Sequence, residues 1–330
     1  MERTAIFAEN AMNTIPSTFN ARLINRTLIG GRQNNPNEKF NAAAVLLNSN
    51  GSHLRPHVFD NLLACGFRNI VSVEPHTDNY NLEDLSRRYP SVKFLIPLEK
   101  ASDGDLINLC MSELDASYVL VLRDTLRVTA SLLLKNLFDN MTEDKIYCVV
   151  PRLFSADGGQ IPVRTEPAAE KGKFKMISTA AVSSGAPTLA PRDYIALYNR
   201  EKFIALGGFD YTISSPYYQN ADLALRSWLW GEKTVLSTAF FIHYDGDAGI
   251  ADTTADLSYL RFYLKNILPQ FRADHGILPA SMFFQFFLRS SCGFFEALSQ
   301  FKEAGRWVEK NKYRFKADMR NLIETWGIQQ

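Results

Sequence analysis

The sequence predicts an α/β protein in which helices flank a mostly parallel sheet, followed by a helical C-terminal extension. Short, uniformly apolar runs recur along its first half, and such runs are typical of strands buried on both faces. Segments with apolar residues at helical spacing separate these runs, which indicates repeated strand–helix units. From residue 255 onward only helical patterns are recognised.

The elements follow one another in a regular order. The predicted strands are residues 42–47, 69–74, 92–96, 118–122, 146–150, 194–198 and 233–243, and the predicted helices are residues 54–65, 81–89, 106–114 and about 130–140. Residues 155–190 are rich in Gly, Ser, Pro, Ala and Lys, and a loop of that length is usually functional or disordered. Ligands of a parallel sheet collect at the carboxyl ends of its strands.

Three parts are predicted along the chain: a leader and linker at 1–39, an α/β domain at 40–250 and a helical region at 251–330. The leader ends in a polar, turn-rich stretch at 30–37. Its first twenty residues lack the apolar segment of a signal peptide, and no apolar run approaches the ~18 residues of a membrane span. A cytoplasmic protein is therefore expected, with attachment to a membrane surface left open.

Composition narrows the classes of partner. The net charge of +1 over 330 residues offers no dense basic surface for a phosphate backbone, so no nucleic-acid partner is expected. Cys65, Cys110, Cys148 and Cys292 are widely separated and lack the paired spacing of a zinc site. They are predicted to be buried free thiols of a protein in a reducing compartment.

One block of sequence carries most of the functional information. FIALGGFD at residues 203–210 combines an apolar approach, a Gly–Gly turn and an aspartate. YYQNADLALR at residues 217–226 follows as an amphipathic helix. This arrangement predicts polar side chains at the mouth of a pocket.

The block resembles the acceptor-side signature of the family 2 glycosyltransferases, inverting enzymes of the GT-A (nucleotide-diphospho-sugar transferase-like) fold. The resemblance covers residues 40–250. It implies a catalytic base at Asn220, where the family has Asp, and Gln219 stands where the family has Glu. Asp222 and Asp210 are the remaining carboxylate candidates for catalysis. The alternatives are that Asp222, ~200° around the helix from position 220, braces that helix, and that Asp210 caps its turn.

The resemblance also implies a donor site at the ends of the strands. The candidate nucleotide-sugar-binding residues are Asn48, Asn50, Glu74, Asn108, Arg123 and Asp124. Asp124 and His243 are the candidate ligands of a divalent metal, Mn²⁺ or Mg²⁺, since hard oxygen and imidazole ligands suit such an ion. Leu122 occupies the first Asp position of the family's Asp-x-Asp element, so Arg123 is considered as a substitute cation, the alternative being a solvated arginine.

The C-terminal residues 255–320 combine aromatic and basic helices. This combination suits a peripheral membrane contact, a protein partner, or packing on the α/β domain. The leading hypothesis is a glycosyltransferase-like protein that binds a nucleotide-sugar and transfers the sugar, with inversion, to a glycan, lipid-linked or surface-polysaccharide acceptor. The alternative is a catalytically inactive GT-A scaffold that acts as a binding or assembly subunit.

Overall fold

The computed structural model describes residues 22–48, 55–75, 82–128, 133, 135–170, 173–179, 183–245, 249 and 251–326. The strands are β1 Arg26–Gly30, β2 Ala42–Leu47, β3 Ile70–Val73, β4 Val92–Pro97, β5 Tyr118–Arg123, β6 Leu126–Val128, β7 Cys148–Phe154, β8 Gln160–Ile161, β9 Arg164–Glu170, β10 Lys173–Thr179, β11 Ala196–Asn199, β12 Thr234–Tyr244, β13 Gln270–Arg272 and β14 His275–Ile277. The α-helices are α1 Arg55–Cys65, α2 Leu82–Arg88, α3 Asp103–Glu113, α4 Lys135–Thr142, α5 Arg200–Leu206, α6 Pro216–Leu229, α7 Leu257–Phe262, α8 Met282–Ser290, α9 Phe294–Asn311 and α10 Met319–Thr325. A π-helical segment, Tyr263–Ile267, continues from α7.

A ten-stranded sheet runs through the α/β part in the order β1-β4-β3-β2-β5-β11-β7-β12-β6, with β8 paired to β7. The neighbours β4, β3, β2 and β5 are parallel, and β12 is parallel to β7. Strands β1, β6, β8 and β11 are antiparallel to their partners. The prediction of a mostly parallel sheet flanked by helices is confirmed.

The centre of the sheet is apolar because its strands are covered on both faces. Every residue of β2 is buried, and β5 is buried up to Leu122. Register places Leu47 of β2 beside Arg123 of β5 and Val73 of β3. The carboxyl ends of these three strands therefore form one edge, where the polar residues that follow each strand come together.

Strand β1 lies within the segment predicted to be a leader and linker. It pairs antiparallel with β4, from Arg26 opposite Pro97 to Gly30 opposite Lys93, so residues 26–30 are an edge strand of the sheet. A five-residue strand that is mostly exposed has no distinctive pattern in the sequence, and only pairing with β4 defines it. The division of the chain into three parts stays a prediction.

The sequence pattern also did not indicate the short strand β6 or two β-hairpins. Within residues 155–190, β9 and β10 form a hairpin with Arg164 opposite Thr179 and Glu170 opposite Lys173. In the C-terminal region, where only helices were expected, β13 and β14 form a second hairpin. Each hairpin pairs only within itself and buries few large apolar side chains, so neither has the apolar run by which a core strand is recognised.

The C-terminal helices are present as predicted, and part of their surface packs on the α/β domain. Trp326, just after α10, packs edge-on against Trp228 of α6, with ring centroids 4.8 Å apart. Trp307 of α9 stacks on Trp230 at 5.9 Å. Packing on the domain, one of the three expected roles of residues 255–320, is thus part of the fold. Within the described ranges, none of the helices has the length and apolar character needed to cross a bilayer.

Candidate active site

The GGFD turn, residues 207–210, begins where α5 ends. Gly207 has φ +91° and its N–H donates to the carbonyl groups of the last turn of α5. Gly208 has φ +62°. Both residues are in the left-handed region, which glycine adopts without steric cost, so the Gly–Gly pair is required by the backbone.

Two buried side chains, one on α3 and one on α6, hold this turn by hydrogen bonds to its backbone. Asn108 of α3 forms two hydrogen bonds to Phe209: its Nδ2 donates to the carbonyl at 2.7 Å and its Oδ1 accepts from the N–H at 2.9 Å. Arg226 of α6 donates to the carbonyls of Leu206 and Gly208 at 2.7 and 2.9 Å. Asn108, a predicted donor-binding residue, thus uses both ends of its amide to position the turn.

Asp210 and Asp222, two of the predicted catalytic residues, belong to a buried charge network. Lys265, in the π-helical segment, pairs with Asp210 and lies 3.0 Å from Asp222. Asp222 also accepts from Arg226 at 2.6 Å and from Asn266 at 2.7 Å. Burial acts to raise the pKa of Asp210, but Lys265 and the hydrogen bonds from Thr212 outweigh burial and hold that pKa well below its usual range.

A cavity of about 490 Å³ opens beyond β5, between the β9–β10 hairpin and the start of α6. Its polar lining includes Arg123, Arg192, Asp193, Asn220 and Asp252. Asp210 and Asp222 are not part of this lining. Of the three predicted catalytic positions, only Asn220 therefore faces the cavity.

Arg123 lines this cavity and pairs with two carboxylates, of which Asp193 also lines it. It forms a two-point ion pair with Asp193, and its Nη2 donates to Asp103 at 2.7 Å. Burial acts to lower the pKa of Arg123, but Asp193 and Asp103 outweigh burial and raise it above its ordinary value, so the guanidinium is charged. Within the described residues its Nη1 makes no hydrogen bond, so the two N–H groups of that nitrogen are available to a ligand.

The ion pair also holds a strained turn at the cavity wall. Asp193 and Tyr194 are consecutive non-glycine residues at φ +49° and +64°. Such a conformation costs of order 1–3 kcal/mol per residue and persists only where the surroundings enforce it. The contacts of Arg123 with Asp193 and of the Tyr194 ring with Phe209, at 4.9 Å, supply that constraint.

Neighbouring amides at the start of α6 have different surroundings. Gln219 is fully buried: Nε2 donates to Ser102 Oγ and to the Asp210 carbonyl at 3.0 Å each, and Oε1 accepts from the Gly104 N–H at 3.2 Å. A Cβ added at Gly104 would overlap this oxygen, so α3 approaches α6 this closely only with glycine there. Asn220 is partly exposed at the cavity and donates to the Pro191 carbonyl at 2.7 Å.

Two predicted donor-binding residues meet at the carboxyl ends of β2 and β3. Asn48 Nδ2 lies 2.9 Å from Glu74 Oε1, and Ser72 Oγ bridges the pair with contacts of 2.7 Å to each. Asp124 joins the same edge, because its N–H donates to the Leu47 carbonyl at 3.1 Å. Asn50 lies outside the described residues.

The predicted metal ligands do not form a metal site by themselves. His243 is in β12, where Phe154 stacks on its ring at 5.3 Å and Phe241 meets it edge-on at 5.6 Å. Leu122, at the first Asp position, is a buried strand residue. In the part of the chain that the structure describes, no group of three or more His, Cys, Asp or Glu side chains is placed to hold a metal ion.

Sequence reasoning did not select Asp103, Asp193, Asp252 or Lys265. Asp193 and Lys265 reach their partners across 70 and 55 residues, so no local pattern links them. Asp252 lies in the segment between β12 and α7, which has no motif around it. One feature of the sequence pointed to these carboxylates: Arg123 ends a strand of the sheet, and an arginine that is partly buried there requires a carboxylate partner.

The chain resembles known proteins in structure, whereas its sequence has no match. No protein-family model matches the chain, and no curated protein matches it in sequence. Among solved structures, GalNAc-T7, solved with UDP, GalNAc and Mn²⁺, superposes with a TM-score of 0.57 at 12% identity, over 87% of this chain and 56% of that chain. The 1–349 fragment of S. aureus TarS in complex with UDP superposes with a TM-score of 0.50 at 13% identity, over 88% and 92% of the two chains.

The fold is that of the GT-A glycosyltransferases. A longer S. aureus TarS chain gives the same TM-score of 0.50 at 12% identity, covering 88% of this chain and 53% of that one. This chain thus spans little more than half the length of the GalNAc-T7 and longer TarS chains. At such identities the likeness establishes the GT-A fold alone, as the GGFD block indicated.

Proposed function

We propose that this GT-A protein binds a nucleotide-sugar donor and transfers the sugar, with inversion, to a glycan, lipid-linked or surface-polysaccharide acceptor. The observation that carries the proposal is the cavity at the end of β5, lined by Arg123 and by Asn220 of the helix after the GGFD turn. GalNAc-T7 and the TarS fragment, with the same fold, were solved with UDP. Membership of family 2 and a cytoplasmic location are parts of this proposal.

The proposed donor site extends from the strand edge into the cavity. Asn48 and Glu74 would contact the nucleoside, since an amide and a carboxylate match the donors and acceptors of a base or ribose. Arg123 lies opposite Leu47, one residue before Asn48, and its Nη1 would donate to a diphosphate oxygen. A guanidinium in this position stabilises the leaving diphosphate without a metal ion.

The base that the transfer requires is assigned to Asp252. As an acceptor hydroxyl oxygen bonds to the anomeric carbon and the bond to the diphosphate breaks, a carboxylate takes the hydroxyl proton. An amide at Asn220 does not accept that proton, and both oxygens of Asp193 are bonded to Arg123. Asp252 lines the same cavity, and its Oδ1 accepts from the Thr254 N–H at 2.9 Å. Hydrogen bonds from the side chain and the backbone of Thr254 hold the pKa of Asp252 below its usual value, so the carboxylate is ionised and can accept a proton.

The second candidate function is an inactive scaffold that binds a donor or a partner without transferring sugar. The amides of Gln219 and Asn220 favour it, because both keep the shape of carboxylates without their charge. Only the enzyme transfers sugar to an acceptor. Both the enzyme and a scaffold that retains its ligand would bind the donor.

Donor binding is expected to be independent of metal. Calorimetric titration with UDP-, GDP- and dTDP-sugars in EDTA should reveal a binding nucleotide-sugar, and Mn²⁺ or Mg²⁺ should change its Kd by less than about threefold. Arg123→Gln should weaken binding by about tenfold or more, as expected for a lost charge-assisted contact of at least ~1.4 kcal/mol. Arg87→Gln, at an exposed arginine of α2, is the matched control. Absence of binding to every donor, with or without metal, would overturn the proposal.

Transfer is tested separately through the assigned base. Release of nucleoside diphosphate from the bound donor, with and without glycan acceptors, should fall by about 100-fold or more in Asp252→Asn, the usual range for loss of a general base. Donor Kd should stay within about threefold. Donor binding without turnover in the unmodified protein would support the scaffold. Turnover unaffected by Asp252→Asn would reject Asp252 as the base.

A further inference from the structure

A second cavity, of about 460 Å³, lies in the C-terminal region, away from the site described above. It is bounded by the π-helical segment, the β13–β14 hairpin, α8 and α10, and its charged lining is Arg272, Arg289, Arg320 and Asp318. We call it the arginine cavity. Its volume is that of a small-molecule site, and its three arginines face one aspartate, so it favours an anion.

Of the four charged side chains in the arginine cavity, Asp318 and Arg320 have partners of opposite charge or hydrogen-bond donors, and the two other arginines have no carboxylate partner within the described part of the chain. Asp318 caps α10, with Oδ1 accepting from the Asn321 N–H at 2.9 Å and Oδ2 accepting from the Phe271 N–H at 3.0 Å. Arg320 pairs with Glu324 at 2.8 Å. Arg272 and Arg289 have no carboxylate partner among the ion pairs of the described residues, and Nη2 of Arg272 donates to Gln270 Oε1 at 2.7 Å. Neither guanidinium charge is neutralised by a carboxylate there, and N–H groups of both side chains remain for an anionic ligand.

Helix α8 presents an apolar surface beside this cavity. Phe283 and Phe286 face inward and pack in a C-terminal apolar core with Phe301 of α9. Phe284 and Leu288, four residues apart and therefore on one face, are 67% and 82% exposed. Gln285 and Arg289, one position further along, lie on the adjoining face and line the arginine cavity. At 100° per residue, the outer half of α8 divides into an apolar and a cationic side.

The start of α9 extends the apolar side of α8. Phe295 is 84% exposed, and its ring lies 5.7 Å from that of Phe294, which in turn contacts Phe287 of α8 at 5.6 Å. Side chains this exposed protrude from the surface instead of lining a groove. Protruding aromatic and leucine side chains beside cationic ones are typical of segments that lie in the interface of an anionic membrane.

We propose that the arginine cavity binds the phosphate group of an anionic phospholipid while Phe284, Leu288 and Phe295 enter the bilayer interface. Phosphate oxygens match the bidentate geometry of Arg272 and Arg289, and a glycerophosphate head group is within the size of the cavity. The exposed apolar side chains favour a lipid over a free phosphate compound, because a bilayer would bury these side chains and a free phosphate compound would leave them in water. The proposal is independent of whether sugar is transferred.

The test is cosedimentation with vesicles of phosphatidylcholine alone or mixed with phosphatidylglycerol. The unmodified protein should partition onto the anionic vesicles at least about tenfold more strongly than onto the neutral ones. Arg272→Gln/Arg289→Gln and Phe284→Ser/Leu288→Ser should each reduce that partitioning by about tenfold or more. Lys302→Gln/Lys310→Gln removes the same charge from exposed residues of α9 that do not line the cavity, and should have an effect below about threefold.

Thermal unfolding first verifies that each variant is folded. Equal binding to neutral and anionic vesicles would overturn the proposal, as would equal effects of the cavity variant and the lysine control. Titration with glycerol phosphate separates the two sources of phosphate: binding to it without binding to vesicles would reject the membrane. Self-association measured by light scattering, abolished by Phe284→Ser/Leu288→Ser in a protein that does not bind vesicles, would assign the apolar surface to a second copy instead.

Discussion

Replacing Lys265 by Met is expected to lower the free energy of unfolding by about 3–5 kcal/mol at neutral pH, the usual cost of breaking a buried ion pair from one side. Lys265 is the buried cation that pairs with Asp210 and also contacts Asp222. Methionine retains much of the aliphatic volume but leaves the charge of Asp210 without Lys265 in a buried site. Urea unfolding followed by circular dichroism measures the difference.

The matched control is Lys202→Met. Lys202 pairs with Glu232 at 2.6 Å, but these side chains are 31% and 29% exposed, so water compensates for the lost partner. Its expected cost is about 1 kcal/mol or less. Equal costs for the two variants would show that the buried network does not stabilise the fold. A larger cost for Lys265 would establish that the C-terminal region supports the GGFD turn.

The free energy of unfolding should depend on pH differently in Lys265→Met and in the unmodified protein. Because the pKa of Asp210 is lower in the folded than in the unfolded protein, its contribution to stability is present above about pH 4 and is lost as the pH falls towards the folded-state value. Without Lys265, the effect of burial raises that pKa, and protonation of the folded state then favours folding. The stability difference between Lys265→Met and the unmodified protein should therefore narrow on acidification from pH 7 to pH 4. A difference that stays constant over this range would contradict the assignment of Asp210 as the titrating group.

Replacing Gln219 by Glu is expected to lower the free energy of unfolding by about 3 kcal/mol or more at neutral pH. The Nε2 that donates to the Asp210 carbonyl becomes an oxygen, which places two acceptors 3.0 Å apart and a charge in a fully buried position. The Ser102 hydroxyl, 3.0 Å away, can turn to donate and offsets part of this cost. Gly104 leaves no room for the side chain to move, because its backbone N–H already contacts Oε1 at 3.2 Å. Urea unfolding provides the measurement.

Asn220→Asp makes the same chemical change one residue later and is the control. Its side chain loses the 2.7 Å bond to the Pro191 carbonyl, but it borders the cavity, where water solvates the carboxylate. A cost of about 1 kcal/mol or less is expected. Equal costs at the two positions would contradict the distinction drawn between them. The expected result would show that the amide of Gln219 is needed for the packing of α3 against α6. Position 220, in contrast, would tolerate a carboxylate.

Much of the architecture was predictable because it depends on local patterns. AAAVLL and YVLVL are apolar without alternation, and such runs form parallel strands wherever helices cover both faces, as in β2 and β5. The Gly–Gly pair at 207–208 indicated a turn that needs positive φ, and both glycines have it. The polar residues Asn48 and Glu74 follow two parallel strands, and parallel strands necessarily bring their ends to the same edge.

The site was less predictable because its side chains obtain their roles from distant partners. The resemblance made Asn108 a candidate for donor binding, yet both ends of the Asn108 side-chain amide bond to the backbone of Phe209, 101 residues away. Arg123 stands at a strand end in the sequence, and only the folded chain pairs it with Asp193 and Asp103. A periodic pattern indicates which face of a helix or strand is buried, but it does not specify which polar groups from other elements will contact that face.

The GGFD block illustrates this division. Its sequence alone determined the turn, the helix after it and, through a resemblance, the GT-A fold. The tertiary structure decided that Asp210 and Asp222 are charges buried around Lys265, and that Asn220 is the member of the block that faces a cavity. The physical reason is that backbone conformation follows from local sterics and burial, whereas the state of a carboxylate depends on charges brought to it from elsewhere in the chain.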